Sequence, residues 1–228
     1  MFTFFGLLGK STKKNLKKNN CLLSLNHICF LILFVVQFRL LDLYLIIEIL
    51  AVIFGLLYLG LLIMERIECW IFGILASLLS IFLFYHTKLY SEAILYSYYV
   101  IMGFYGYFLW QKKSDDNVLA INVNEQKPIF HFYYITICSL LAFALSLFFD
   151  VYTDAESPYI DAFTTVFSFL ATYLQAKKVL SSWKYWIVIN SVTIWLYINK
   201  ELEIYAALMV VYLIMSISGY IRWKKVIG

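Results

Sequence analysis

Long apolar runs separated by short polar breaks account for most of the chain. They fall roughly at residues 21–38, 44–64, 69–86, 91–110, 131–149, 159–176, 183–198 and 204–223. Most approach the roughly 20 residues that an α-helix needs to cross a bilayer, where the backbone must satisfy its own hydrogen bonds. The pattern predicts an all-α polytopic membrane protein. The run at 183–198 is the short one, and it carries Asn190. Pro128 and Pro158 stand just ahead of apolar runs, where a missing N–H costs a helix nothing. The one long polar stretch, Gln111 to Pro128, reads as a linker that cuts the chain into halves.

Composition agrees with this pattern and removes other classes. The chain is 63% hydrophobic and 14% charged, against about 25% charge in soluble chains. That argues against cytosolic enzymes, nucleic-acid binders and secreted disulfide scaffolds. Cys21, Cys29, Cys69 and Cys138 lie in or beside apolar stretches without metal-ligand spacing and read as small apolar fillers. If all eight runs cross, the 18 lysines and arginines segregate: only Arg39, Lys88 and Lys200 fall on the minority face. Positive charge is retained inside, so both termini and the linker are expected in the cytoplasm. The lysines between 10 and 18 act as a topology determinant or lipid-headgroup contact. The run at 21–38 comes too late and lacks the small-residue site for a cleaved signal peptide.

Sliding the chain against itself gives one register that stands out, an offset of 113 residues. It places Trp70 on Trp183, Gly106-Tyr107 on Gly219-Tyr220, Trp110 on Trp223, Lys112 on Lys225 and Glu48 on Asp161. Each repeat holds three helices with one helix between them, so the second triplet enters the membrane in the same direction as the first. The expected organisation is a basic segment with an extra helix (1–40), a first triplet (41–113), a linker and connector helix (114–158) and a second triplet (159–228). Parallel repeats of this kind occur in transporters, with substrate held where the halves meet.

The last triplet contains Trp183, Trp186 and Asn190, at i, i+3 and i+7 on one helical stripe. Two indoles and a carboxamide could bracket a planar heteroaromatic ring, hydrogen-bond its edge and attract it if it is a cation. An interfacial aromatic belt would also explain the tryptophans, but an amide a turn deeper needs a partner. Ser77 is the repeat counterpart of Asn190. Glu48 and Asp161, near the external helix ends, are expected as gating or structural acids. No phosphate loop, metal-ligand cluster or nucleophile elbow is present in the sequence. The chain is therefore expected not to be an enzyme and to need no cofactor or metal.

The Trp-x-x-Trp-x-x-x-Asn stripe resembles a motif of the nicotinamide riboside transporter (PnuC) family. So do Trp70-Ile71-Phe72-Gly73, the Lys88-Leu89-Tyr90-x-x-Ala93 element and the paired Gly-Tyr-x-x-Trp helix ends. The similarity runs from about Glu48 to Lys225. It implies a homotrimeric vitamin transporter of the bacterial inner membrane, passing nicotinamide riboside down its gradient to a cytoplasmic kinase. It also implies substrate contacts at Trp183, Trp186 and Asn190, with Trp70, Ser77, Tyr96 and Tyr99 completing the candidate set. Tyr96 departs from the family, many of whose members have Gln there, so thiamine or another nucleoside-like vitamin is the alternative ligand. A membrane subunit that binds or assembles without transporting is the rival class.

Overall fold

The computed structural model describes residues 43–86, 90–115, 122–152 and 157–227. The expected helix over 21–38 and the basic segment around it lie outside the described residues. The chain divides into two units, residues 1–47 and 48–228. Of the first, only Leu43–Ile47, the start of a helix, is described; the second unit holds all the other described residues.

Seven helices make up the described fold: α1 (Leu43–Ile63), α2 (Cys69–His86), α3 (Tyr90–Asp115), α4 (Pro128–Tyr152), α5 (Pro158–Ala176), α6 (Ser182–Asn199) and α7 (Glu203–Ile227). Four of them, α1, α2, α4 and α7, are long and apolar enough to cross a membrane. The protein is a multi-pass membrane protein, and large apolar side chains such as Ile101, Leu140, Phe143 and Ile214 project outward as lipid requires. Pro128 and Pro158 open α4 and α5, so the expected prolines do mark helix starts. Helix α3 continues past the apolar run as far as Asp115, taking the first residues of the expected linker.

Helix ends repeat at the 113-residue offset. After α1, the Glu65 N–H donates to the Leu62 carbonyl and the Arg66 N–H to the Leu61 carbonyl, both at 3.0 Å. After α5, the Lys178 N–H donates to Gln175 and the Val179 N–H to Leu174, both at 2.9 Å. These are Schellman-type closures, with Glu65 and Lys178 in the left-handed region at φ 56° and 53°. The two residues meet: Lys178 Nζ lies 2.9 Å from Glu65 Oε2 and 4.4 Å from the centre of the Trp110 ring.

The same offset governs packing. Trp70 sits on Gly106 and meets Trp110 edge-on at 5.5 Å and 87°. Trp183 sits on Gly219 and meets Trp223 at 5.2 Å and 84°. Helices in lipid gain little from burying apolar surface and are held by close packing, which the two glycines permit. All four indoles belong to one buried cluster with Leu62, Cys69, Ala176 and Leu180.

Residues 122–127 are not merely a solvated connection. The Asn124 N–H donates to the Lys178 carbonyl at 3.0 Å, and the Leu180 N–H donates to the Asn124 carbonyl at 2.8 Å. Val123, 6% exposed, inserts into the tryptophan cluster. The segment is thus clipped to the α5–α6 turn. Cys69 and Cys138 are buried free thiols, as apolar fillers would be.

Candidate functional site

The contacts between helices leave a space between α1–α3 and α5–α7. Helix α3 crosses to α5, where the Tyr98 hydroxyl donates to the Phe169 carbonyl at 2.9 Å. Helix α1 reaches α5, where the Tyr58 hydroxyl donates to Gln175 Oε1 at 3.5 Å. Six helices line a partly open cavity of about 290 Å³; none of its lining comes from α4, which packs outside against α5. That volume is close to the lower bound of roughly 300 Å³ for small-molecule sites.

Most of the expected site residues converge on this cavity. Trp70, Ser77, Tyr96, Tyr99, Trp186 and Asn190 all line it. The Asn190 amide donates from Nδ2 to Ser216 Oγ at 3.2 Å, and Ser216 Oγ donates to the Tyr212 carbonyl at 2.8 Å. Its expected counterpart Ser77 turns its hydroxyl back onto the Gly73 carbonyl at 2.8 Å. Tyr96 and Tyr99 meet edge-on at 5.3 Å. The Trp186 Nε1–H is buried without an acceptor, a free donor on an aromatic wall.

Trp183 is placed differently. It is fully buried in the socket formed by Gly219 and Trp223 and is not among the cavity walls. It shares a stripe with Trp186 and Asn190, but a helix rises about 1.5 Å per residue, so three residues separate the cavity wall from the packed end of the bundle. Glu48 is exposed and also off the cavity, accepting a hydrogen bond from the Tyr205 hydroxyl at 3.3 Å. Asp161 is half-buried in the first turn of α5 and is not among the cavity walls.

The cavity adds residues that the sequence reading passed over. Gln175 is 1% exposed, and its Nε2 has no partner although its Oε1 accepts from Tyr58. With Thr164, Ser168 and Thr172 it forms a polar stripe down α5 that faces the cavity. Spacings of four, four and three residues inside a membrane span are a helical polar face, a signal present in the sequence. Glu92, in the first turn of α3, also lines the cavity. Among the described residues no His, Cys, Asp or Glu group could hold a metal. The cavity walls offer aromatic faces, amide and indole donors, phenol hydroxyls and one carboxylate.

Comparison with known proteins places the chain beside a set of vitamin transporters. The model of the family described as nicotinamide mononucleotide transporter matches residues 45–225. A Neisseria mucosa protein named nicotinamide riboside transporter PnuC is 28% identical over 71% of this chain, and the aligned part is 65% of that protein's length. The Escherichia coli protein of the same name is 20% identical, over 78% of this chain and 84% of its own. In fold, the chain is similar to a crystal structure of the vitamin B3 transporter PnuC, with a TM-score of 0.65 and 22% identity. That match covers 79% of this chain and 81% of the other.

Proposed function

The chain belongs to the nicotinamide mononucleotide transporter family, and from this premise we propose that it carries nicotinamide riboside across the bacterial inner membrane. The observation that carries the proposal is the cavity with Trp186, Asn190 and Gln175 in its walls. Nicotinamide riboside is a flat pyridinium cation bearing a carboxamide and a hydroxyl-rich sugar. An indole face attracts such a cation by about 0.5–2 kcal/mol. The unpartnered donors at Gln175 Nε2 and Trp186 Nε1 offer hydrogen bonds to carboxamide and ribose oxygens. Asn190, held by Ser216, presents its carboxamide at fixed orientation. Trp183, off the cavity wall, packs α6 against Gly219 and Trp223 of α7 rather than touching substrate.

Transport is facilitated diffusion. The triplets α1–α3 and α5–α7 act as parallel repeats that rock about the cavity, exchanging similar packings at little net energy. The matched indole sockets and helix closures at the 113-residue offset support that symmetry. The cytoplasmic face carries the Glu65–Lys178 pair and the docked linker, and a cytoplasmic kinase traps the product.

The test is uptake of labelled nicotinamide riboside into proteoliposomes, with Trp186→Ala and Asn190→Ala alongside and unlabelled thiamine as competitor. The expected result is saturable uptake in the wild type and at least a tenfold loss of uptake efficiency in each variant, the effect of about 1.4 kcal/mol. Wild-type vesicles that never equilibrate the label refute transport. Displacement by thiamine at lower concentration than by nicotinamide riboside itself reassigns the ligand.

A further inference from the structure

One buried polar pair in the cavity wall is not accounted for by packing. Tyr58 on α1 and Gln175 on α5 both line the cavity, and the Tyr58 hydroxyl donates to Gln175 Oε1 at 3.5 Å. The Tyr58 ring is held in place: its centre lies 5.9 Å from that of Trp70, and a Cβ on Gly73 would stand 2.9 Å from its Cδ2. The hydrogen bond orients the Gln175 amide and leaves its Nε2, on a side chain 1% exposed, without an acceptor. A buried donor left unpaired is costly, above all in a membrane span. The other half of the molecule shows that the fold does not require it. At the 113-residue offset Gln175 corresponds to Leu62 and Tyr58 to Ala171, both 0% exposed, so apolar side chains fill the same places there. By contrast, the unpartnered Nε1 of Trp70 recurs at Trp183, which is off the cavity, and so belongs to the packing.

We infer that Tyr58 and Gln175 form the subsite that reads the carboxamide of the transported molecule, with Gln175 as its specificity-determining residue. The inference rests on the transport reading above and deepens it by assigning one end of the substrate. With its proton given to Gln175, the Tyr58 oxygen can still accept a hydrogen bond, and Gln175 Nε2 can still donate one. An acceptor beside a donor is the complement of a primary carboxamide. The carbonyl oxygen of the substrate takes the hydrogen bond from Nε2, and its amide N–H goes to the Tyr58 oxygen. Beside the pair the wall is Leu59, Trp70 and Gly73, which suits a flat ring better than the several hydroxyls of a sugar. A site that pairs with a substrate's amide rejects the analogue lacking it, because its own buried groups are then left unpaired.

The experiment measures uptake into proteoliposomes of nicotinamide riboside and two analogues. One is a pyridinium riboside without the carboxamide; the other is a nicotinamide dideoxyriboside, which keeps the carboxamide and lacks two sugar hydroxyls. The wild type prefers nicotinamide riboside to the carboxamide-free compound. Gln175→Met, close in shape, lowers transport efficiency for both carboxamide compounds by roughly tenfold or more, the factor that about 1.4 kcal/mol produces, and leaves the carboxamide-free compound unchanged. That unchanged transport reports that the variant is folded. Tyr58→Phe lowers the same two compounds by a smaller factor. If Gln175→Met alters none of the three, the inference falls while the transport reading stands. Equal loss of all three also overturns it, because the glutamine then only shapes the cavity. A loss confined to the two compounds with a full ribose overturns it too, because the sugar is then the partner. Wild-type vesicles that take up none of the three overturn both readings.

Discussion

Gly106 and Gly219 should be intolerant of a single methyl group, while Gly60 should welcome one. A Cβ at Gly106 would stand 2.4 Å from Trp70 Cε2 and Cζ2, and one at Gly219 would stand 2.6 Å from Trp183 Cη2 and Cζ2. Ordinary carbon contacts lie at about 3.5–4.0 Å, so each indole must retreat by about 1 Å. Neither can do so alone. Trp70 is 1% exposed and abuts Trp110, whose Nε1 donates to the Ala176 carbonyl at 2.8 Å. Trp183 is 0% exposed and abuts Trp223. Overpacking of this kind costs about 1–3 kcal/mol, and two interlocked rings put it at the upper end. Replacing a helical glycine by alanine returns about 0.5–1 kcal/mol, which leaves about 2 kcal/mol of net destabilisation at each site. At Gly60 nothing lies within 4 Å of the new methyl, so only the gain of about 0.5–1 kcal/mol remains. Unfolding titrations in mixed SDS and mild detergent, followed by tryptophan fluorescence, give the ordering directly. If Gly106→Ala and Gly219→Ala unfold with the wild type, the sockets are not close-packed and the account of the bundle is wrong. If only one of them is destabilised, the equivalence of the two sockets fails.

Two further outcomes concern the end of the bundle where Glu65 meets Lys178. Lys178 and Glu65 are 14% and 23% exposed, so Lys178→Met or Glu65→Gln should each cost about 1.5–3 kcal/mol, the range for a hydrogen bond to a charged partner. A charge swap of both residues should recover most of that loss, and a double-mutant cycle on the same unfolding titration measures the coupling. Val123→Asp drives a carboxylate into the tryptophan cluster and should release the segment around Asn124. Hydrogen exchange at the Asn124 and Leu180 amides should then quicken while the amides within α6 keep their protection.

Fold class was legible because lipid leaves the backbone few choices. A run near 20 apolar residues has to be a helix, and the boundaries of α2 match the expected run at both ends. The α3 boundary moved because Gln111 to Asp115 can continue a helix once it has left hydrocarbon, and apolarity no longer reports on it. At the site, Trp186 and Asn190 could be read from helical spacing, and Trp183 could not be separated from them by spacing alone. What separates it is Gly219, one helix away, and that contact is long-range information. The polar stripe of α5 was present in the sequence as Thr164, Ser168, Thr172 and Gln175, masked by the larger apolar residues around it.

The pairs of positions 113 residues apart fall into two kinds, and the difference between them points to a site. Positions that hold the bundle together are alike: Trp70 and Trp183, Gly106 and Gly219, Trp110 and Trp223, with matching ring angles. Positions that line the cavity are mostly unlike: Gly73 against Trp186, Ala76 against Ile189, Gly103 against Ser216, Ser77 against Asn190, with Tyr99 and Tyr212 an exception. A cavity that only filled space between two similar bundles would have no reason to place its differences there. An asymmetric ligand does give one, because an aromatic cation at one end and a polar sugar at the other require unlike walls. Under the proposed transport, the packing positions can stay alike because rocking needs two bundles of similar shape, while the lining differs because the proposed substrate has no two-fold symmetry of its own.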